Sequence, residues 1–349
     1  MGANFAQGHA LIVGVGGADD LPDTVNDAKA IAGILGNPGR CAYPKGQVKL
    51  LTGAKARRAA VLKGLEELAK VPSDSSVVIF FSGHGEQVGR GKKATYYLMP
   101  HAYDVDRLEQ TAISGAEFSA RLSDIKATRM LVLLDCCHAG GFGGAQALPQ
   151  GAKSVTKAPF KKAAMPPEAT KIFTNREGRV LIASSTGSEL SYAGKPYSVF
   201  TTALIAALCG KGAAKEDGYV RVMDLALYSR EAVVKLTADE QHPTMDFERA
   251  DNFVVAYYAG GEKKAKGLPA SMKEISVETS PGSARFTQND WINHGDVTNV
   301  YGDQKNRYDN RTTIQTIFNQ PDWKVGSVTQ IQNSEPQIQR RDKGKRRRG

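Results

Sequence analysis

Apolar residues along the first 258 positions follow two rhythms. Short continuous runs, ALIVGV (10–15), VKLLTG (48–53), SVVIFFSG (76–83), MLVLLD (130–135), VLIASS (180–185) and DNFVVAYY (251–258), read as strands. Such unbroken runs suit strands covered on both faces. TYYLMP (95–100) reads as a shorter extended piece. Between them, apolar residues recur at helical spacing in NDAKAIAGILG (26–36), which ends on Gly36, and in KARRAAVLKGLEELAKV (55–71), which stops at Pro72. AEFSARLSDIKA (116–127) and the stretches 198–209 and 222–236 read the same way. Strands alternating with helices predict an α/β fold, a mostly parallel central sheet with helices on both faces.

The rhythm fails twice. Residues 141–179 are rich in Gly, Pro, Ala and Lys and carry no sustained period. A long aperiodic insertion in a compact domain is expected to be functional or flexible. A second shift begins at GGEKKAKGLP (260–269), and beyond Thr279 aliphatic residues become scarce while Asn, Gln, Thr and Asp accumulate. The chain therefore divides into a domain over 1–258 with a flexible loop at about 141–179, a linker over 259–280, and a low-complexity tail over 281–349.

Composition narrows the function classes. Four cysteines (41, 136, 137 and 209) form no CxxC pair, and two are adjacent. That is a poor disulfide framework and points to a reducing, cytoplasmic setting, with Cys41 and Cys209 structural. No secretory leader or run of about 18 apolar residues is seen, so no membrane association is expected. The net charge of +10 is concentrated in the last ten residues and in 153–179 rather than on one folded face. Nucleic acid is not the expected partner.

Two strands end on chemistry. VVIFFSGHGEQ (77–87) sets His84 between Gly83 and Gly85, and LVLLDCCHAGG (131–141) sets Cys136 and Cys137 behind Asp135. Sites in parallel sheets assemble where the chain leaves the carboxyl ends of strands. A thiol becomes a strong nucleophile when an imidazole takes its proton, and the two must meet in space. The flanking glycines are expected to let the backbone turn, so that the N–H groups of Gly85 and Cys137 face a developing oxyanion. A zinc site on His84, Cys137 and His138 would lack a fourth ligand at recognisable spacing. Ordinary structural roles for His84 and the two cysteines are the plain alternative.

FFSGHGE and LLDCCHAGG resemble the two signature motifs of metacaspases and bacterial caspase-like proteases (orthocaspases), peptidase family C14, over about residues 9–258. The 53-residue separation (137 − 84) agrees with the roughly 50 residues between histidine and cysteine in caspases. The resemblance implies a caspase-like three-layer sandwich and a Cys-His dyad of His84 and Cys137, with Cys136 at a variable position. Ala139 stands where the family usually has serine. It further implies a pocket built on Asp27, from the Asn26-Asp27 pair, and on Asp135. Two carboxylates there favour cleavage after Arg or Lys. A plainer role for them is helix capping by Asp27 and orientation of N–H groups by Asp135.

The segment Ser184–Tyr192 matches another pocket wall, with Ser184 as a binding residue. Many relatives bind calcium, but Asp104 and Asp106 are too few for an oxygen-rich site, so no cofactor or metal is expected. Self-cleavage is expected at Lys153, Lys157, Lys161 or Lys162. The implied partners are protein substrates with basic cleavage sites, in bacterial stress, immune or cell-death signalling. The tail is expected to bind a partner or to self-associate. The competing function class is a non-catalytic signalling or adaptor protein recruited through that tail.

Overall fold

The computed structural model describes residues 3–16, 22–88, 95–137, 178–185, 189, 191–192, 194, 196–247, 250–269 and 272. The described residues belong to one compact unit, Met1–Gly295. The apolar runs form the centre of an eight-stranded sheet. Its strands are β1 (Gly8–Gly14), β2 (Val48–Thr52), β3 (Ser76–Val88), β4 (Thr95–Met99), β5 (Ile113–Ser114), β6 (Arg129–Cys137), β7 (Arg179–Ala183) and β9 (Thr244–Asp246). The spatial order is β2-β1-β3-β6-β7-β9, and β4 pairs with both β3 and β5. The four pairings from β2 to β7 are parallel. Those of β7 with β9, β3 with β4, and β4 with β5 are antiparallel.

Five helices of the described chain carry most of its remaining regular structure. They are α1 (Pro22–Gly36), α2 (Arg58–Leu68), α4 (Gly115–Asp124), α5 (Val199–Leu208) and α6 (Val222–Leu236), with a single turn α3 (Leu108–Thr111) before α4. Because strand side chains alternate between faces, each run feeds two cores. Leu11, Val13, Val77, Ile79, Phe81, Val132, Leu134 and Cys136 share a buried cluster with Val61, Leu62 and Leu65 of α2 and Phe118 and Leu122 of α4. The intervening positions face α1, which buries Ala28, Ala30, Ile31, Ile34 and Leu35, and α5, which is buried along its whole length. The result is the expected sandwich of helices, mostly parallel sheet and helices.

Three features differ from the sequence reading. DNFVVAYY does not join the central sheet: β10 (Val254–Tyr257) pairs antiparallel with β8 (Tyr219–Arg221) in a separate ribbon. Strand β3 does not stop at Gly83 but runs on to Val88, where β4 pairs with it beyond the end of β1. The two ends of 259–268, read as the start of a linker, rest on the domain, while 261–266 are exposed. The Gly260 N–H donates to the Arg40 carbonyl at 2.7 Å, Arg40 Nε donates to the Gly267 carbonyl at 2.9 Å, and Leu268 is buried.

Candidate active site

Parallel register between β3 and β6 decides which residues meet. It sets Ser82 beside Asp135, Gly83 beside Cys136 and His84 beside Cys137, the last pair of the ladder. Paired positions on adjacent strands lie about 4.8 Å apart. Residue 137 ends β6, whereas His84 sits within β3, bridged on its other side by Met99 of β4. His84 is buried, with 8 % of its surface exposed.

The two glycines beside His84 serve close packing rather than a turn. Both lie in the extended strand, and neither is among the described glycines with positive φ. A Cβ on Gly83 would stand 2.6 Å from Val15 Cγ2, and one on Gly85 would stand 1.8 Å from the Tyr96 hydroxyl and 3.1 Å from Cys136 Cβ.

Cys136 belongs to the core. It faces the α2/α4 side, is hydrogen-bonded to the Tyr96 hydroxyl, and burial pushes its thiol up to about 12. A thiol held that far above neutrality is a packing group, not a nucleophile. Cys41 and Cys209 are likewise buried and free, and burial raises both thiols, Cys209 to about 11.

Two residues behind the His84–Cys137 pair, the face opposite Cys136 carries two buried carboxylates. Asp27 of α1 and Asp135 of β6 are 1 % and 0 % exposed. Ser82 Oγ donates to Asp27 Oδ2 at 3.1 Å and the Ser198 N–H donates to Oδ1 at 2.9 Å. The Ser198 hydroxyl donates to Asp135 Oδ2, which also accepts from Thr201 Oγ1 at 3.1 Å, and Ser191 Oγ donates to Oδ1 at 3.3 Å. Ser184, buried next to the β6 terminus, adds its hydroxyl to Asp135 and its N–H to the Leu134 carbonyl. Ser198 therefore joins both carboxylates while capping α5, where its Oγ accepts from the Thr201 N–H. Burial, then the charge of Asp135, hold the Asp27 carboxyl well above its ordinary range, and burial raises Asp135 despite its four hydroxyl donors. Among the described residues the donors to this pair are hydroxyls and an amide, with no cation. Two desolvated carboxylates, one of them raised further by the charge of the other, form a site whose energy falls when a cation enters.

The caspase-domain profile of peptidase family C14 matches residues 7–254. The chain belongs to the caspase-domain family. The matched span contains all of the central sheet and every residue of the acidic pair and its donors. Solved structures similar to this caspase domain include a protein of Geobacter sulfurreducens, 19% identical, covering 68% of this chain and 92% of that one at a TM-score of 0.46. Caspase-1 of Spodoptera frugiperda is 15% identical, covering 70% of this chain and 88% of its own at a TM-score of 0.41. Comparison with curated protein sequences gives no match.

The structure brings Asp27, Asp135 and Ser184 together and sets residues 84 and 137 side by side in register. Asp104, expected to be a weak calcium candidate at best, is engaged otherwise: its Oδ1 accepts from the Asp106 N–H and its Oδ2 from Arg107 Nε at 2.7 Å. Lys153, Lys157, Lys161 and Lys162 lie outside the described residues, as does the tail over 281–349. Sequence reasoning missed Ser82, Ser191, Ser198 and Thr201. Ser198 was legible only as an N-cap before the apolar run VFTTALIAAL. A cavity of ≈ 260 Å³ lies against α1, lined by Asn26, Lys29, Ala30, Pro196, Tyr197 and Met272. Lys29 on its wall makes it a poor receptor for a cation, so the acidic pair and not this cavity is the candidate for basic side chains.

Among the described residues no helix is long and apolar enough to cross a membrane.

Proposed function

We propose that this caspase domain is a cysteine endopeptidase cleaving after Arg or Lys, with Cys137 as nucleophile and His84 as its base. The observation that carries the reading is the register pairing of His84 with Cys137, two residues beyond Ser82 and Asp135. Cys136 is set aside by its burial against Tyr96. In this reading His84 takes the Cys137 thiol proton as sulfur attacks the scissile carbonyl carbon. The N–H groups of Gly85 and Cys137 stabilise the oxyanion, and the imidazolium returns the proton to the leaving amine. Water, deprotonated by His84, then hydrolyses the acyl-enzyme and restores the thiol.

Specificity is supported by the acidic pair. A guanidinium or ammonium satisfies Asp27 and Asp135 together, whereas an aspartate side chain would add a third carboxylate to two that already repel. Self-processing in 141–179, freedom from calcium, a cytoplasmic location in bacterial signalling, and recruitment through the tail remain parts of the same proposal. The test is hydrolysis of matched fluorogenic peptides ending in Arg, Lys or Asp. Cleavage after Arg or Lys and not Asp is expected. Hydrolysis after Asp alone would overturn the pocket assignment, and no hydrolysis of any would favour the adaptor class.

A further inference from the structure

We infer that Gln241 is a positioning residue for the basic-residue pocket, the centre of a three-residue clamp, Glu240-Gln241-His242, that holds Ser184, Glu189, Ser191 and Tyr192 of the pocket wall beside Asp135. This rests on the specificity proposed above.

Gln241 is fully buried, and its side-chain amide is used at both ends. Oε1 accepts from the Tyr192 N–H at 2.8 Å. Nε2 donates to the Ser184 carbonyl at 2.7 Å and, more weakly, to Ser191 Oγ at 3.4 Å. One side chain thus bridges the start and the end of the wall segment. The two serines it touches are those that donate to Asp135. Its neighbours grip the same segment from either side. The Tyr192 hydroxyl donates to Glu240, and both Glu189 carboxylate oxygens are taken by His242, one by its N–H at 2.8 Å and one by Nδ1 at 2.7 Å.

The clamp is itself anchored to the end of α6. Thr237 Oγ1 donates to the Val233 carbonyl and accepts from the Gln241 N–H at 3.0 Å. Between them Ala238 and Asp239 both adopt left-handed backbone, φ 50 and φ 70, with no glycine to relieve it. Consecutive strained residues persist where the surroundings over-determine them, and here they aim Gln241 into the wall. The amide is therefore placed to set where Ser184 and Ser191 stand, and through them the orientation of the Asp135 carboxylate that a substrate cation would meet. Its action on the pocket runs through these two serines.

The experiment uses the full chain, an arginyl peptide amide and benzamidine, a small cation that probes the pocket without reaction. Gln241→Met keeps the volume and removes the hydrogen bonds. It should raise KM and the benzamidine inhibition constant together by about tenfold, the size expected for losing buried neutral hydrogen bonds. The kcat should stay within about twofold, and alkylation of the nucleophile by iodoacetamide should keep its rate. A fall in kcat with KM and benzamidine binding unchanged, or no change in any of them, would overturn the inference. Should Gln241→Met fail to fold, Glu240→Gln and Tyr192→Phe, which loosen the outer clasp, must shift KM and benzamidine binding in the same sense by about twofold or more. Their silence would overturn it equally. Wild-type protein that neither cleaves arginyl peptides nor binds benzamidine would remove the specificity reading itself, a result visible before any variant is made.

Discussion

Adjacent positions in one strand alternate between its two faces. Cys136 pairs with Gly83 and packs beneath Tyr96, while Cys137, paired with His84, is the last residue of β6. Cys137→Ala should lower kcat/KM for an arginyl peptide by at least about 10³-fold, as removal of a nucleophile does. Cys136→Ser should leave it within a few-fold, its cost appearing instead as lost stability from a hydroxyl in an apolar site. Kinetics and denaturation on the two variants check this, and the reverse pattern would reassign the nucleophile. At the acidic pair, Asp135→Asn keeps the shape and removes the charge. It should raise KM for arginyl and lysyl peptides by about tenfold or more, with a smaller effect on iodoacetamide alkylation.

The strand β3 shows what a sequence can and cannot say about an element. Its apolar half, 77–81, was legible because five consecutive buried residues leave few alternatives. Its glycines were read as turn formers, since isolated glycine after an apolar run usually punctuates. Here they are spacing residues, because the Val15 side chain and the Tyr96 hydroxyl fill the volume a Cβ would need. That cause is non-local and leaves no mark in the local pattern. Gly85→Ala should therefore destabilise the domain by about 1–3 kcal/mol. Adding Tyr96→Phe, which removes the oxygen in the way, should recover part of the loss, as a double-mutant cycle in urea would show. The short strands β5, β8 and β9 were illegible for a different reason: two or three residues carry no period. The acidic site divides the same way. Asp27 and Asp135 could be named from the motif resemblance, but apart from Ser82 of β3 their hydroxyl donors come from the start of α5 and from Ser184 and Ser191, which only folding brings to them.

Over the whole molecule, the buried acids make stability depend on pH in a definite sense. Glu86, two residues beyond His84, is raised by burial from 4.5 to about 7, and its buried Oε2 has no hydrogen-bond partner among the described residues. Asp27 and Asp135 are raised as well. A carboxyl whose folded pKa lies above its unfolded value binds its proton more tightly in the native state. The stability it contributes is complete below the unfolded value and is lost as pH rises through the folded one. For Glu86 that window runs from 4.5 to about 7. Glu86→Gln should therefore raise Tm over wild type by more at pH 8 than at pH 5, and a difference that shrinks with pH would contradict this. Under the proposed specificity the pocket uses desolvated carboxylates, and the domain would hold them at some expense of stability near neutrality.

The central claim joins one nucleophile to one acidic pocket, and a single labelling measurement addresses both. Wild-type protein is treated with peptidyl chloromethyl ketones ending in arginine or aspartate, digested, and the modified residue located by mass spectrometry. The account predicts one adduct on the Cys137 sulfur from the arginyl reagent, lost when Asp27 and Asp135 are both changed to Asn, and little from the aspartyl reagent. An adduct on Cys136, or faster labelling of Cys137 by the aspartyl reagent, would contradict it.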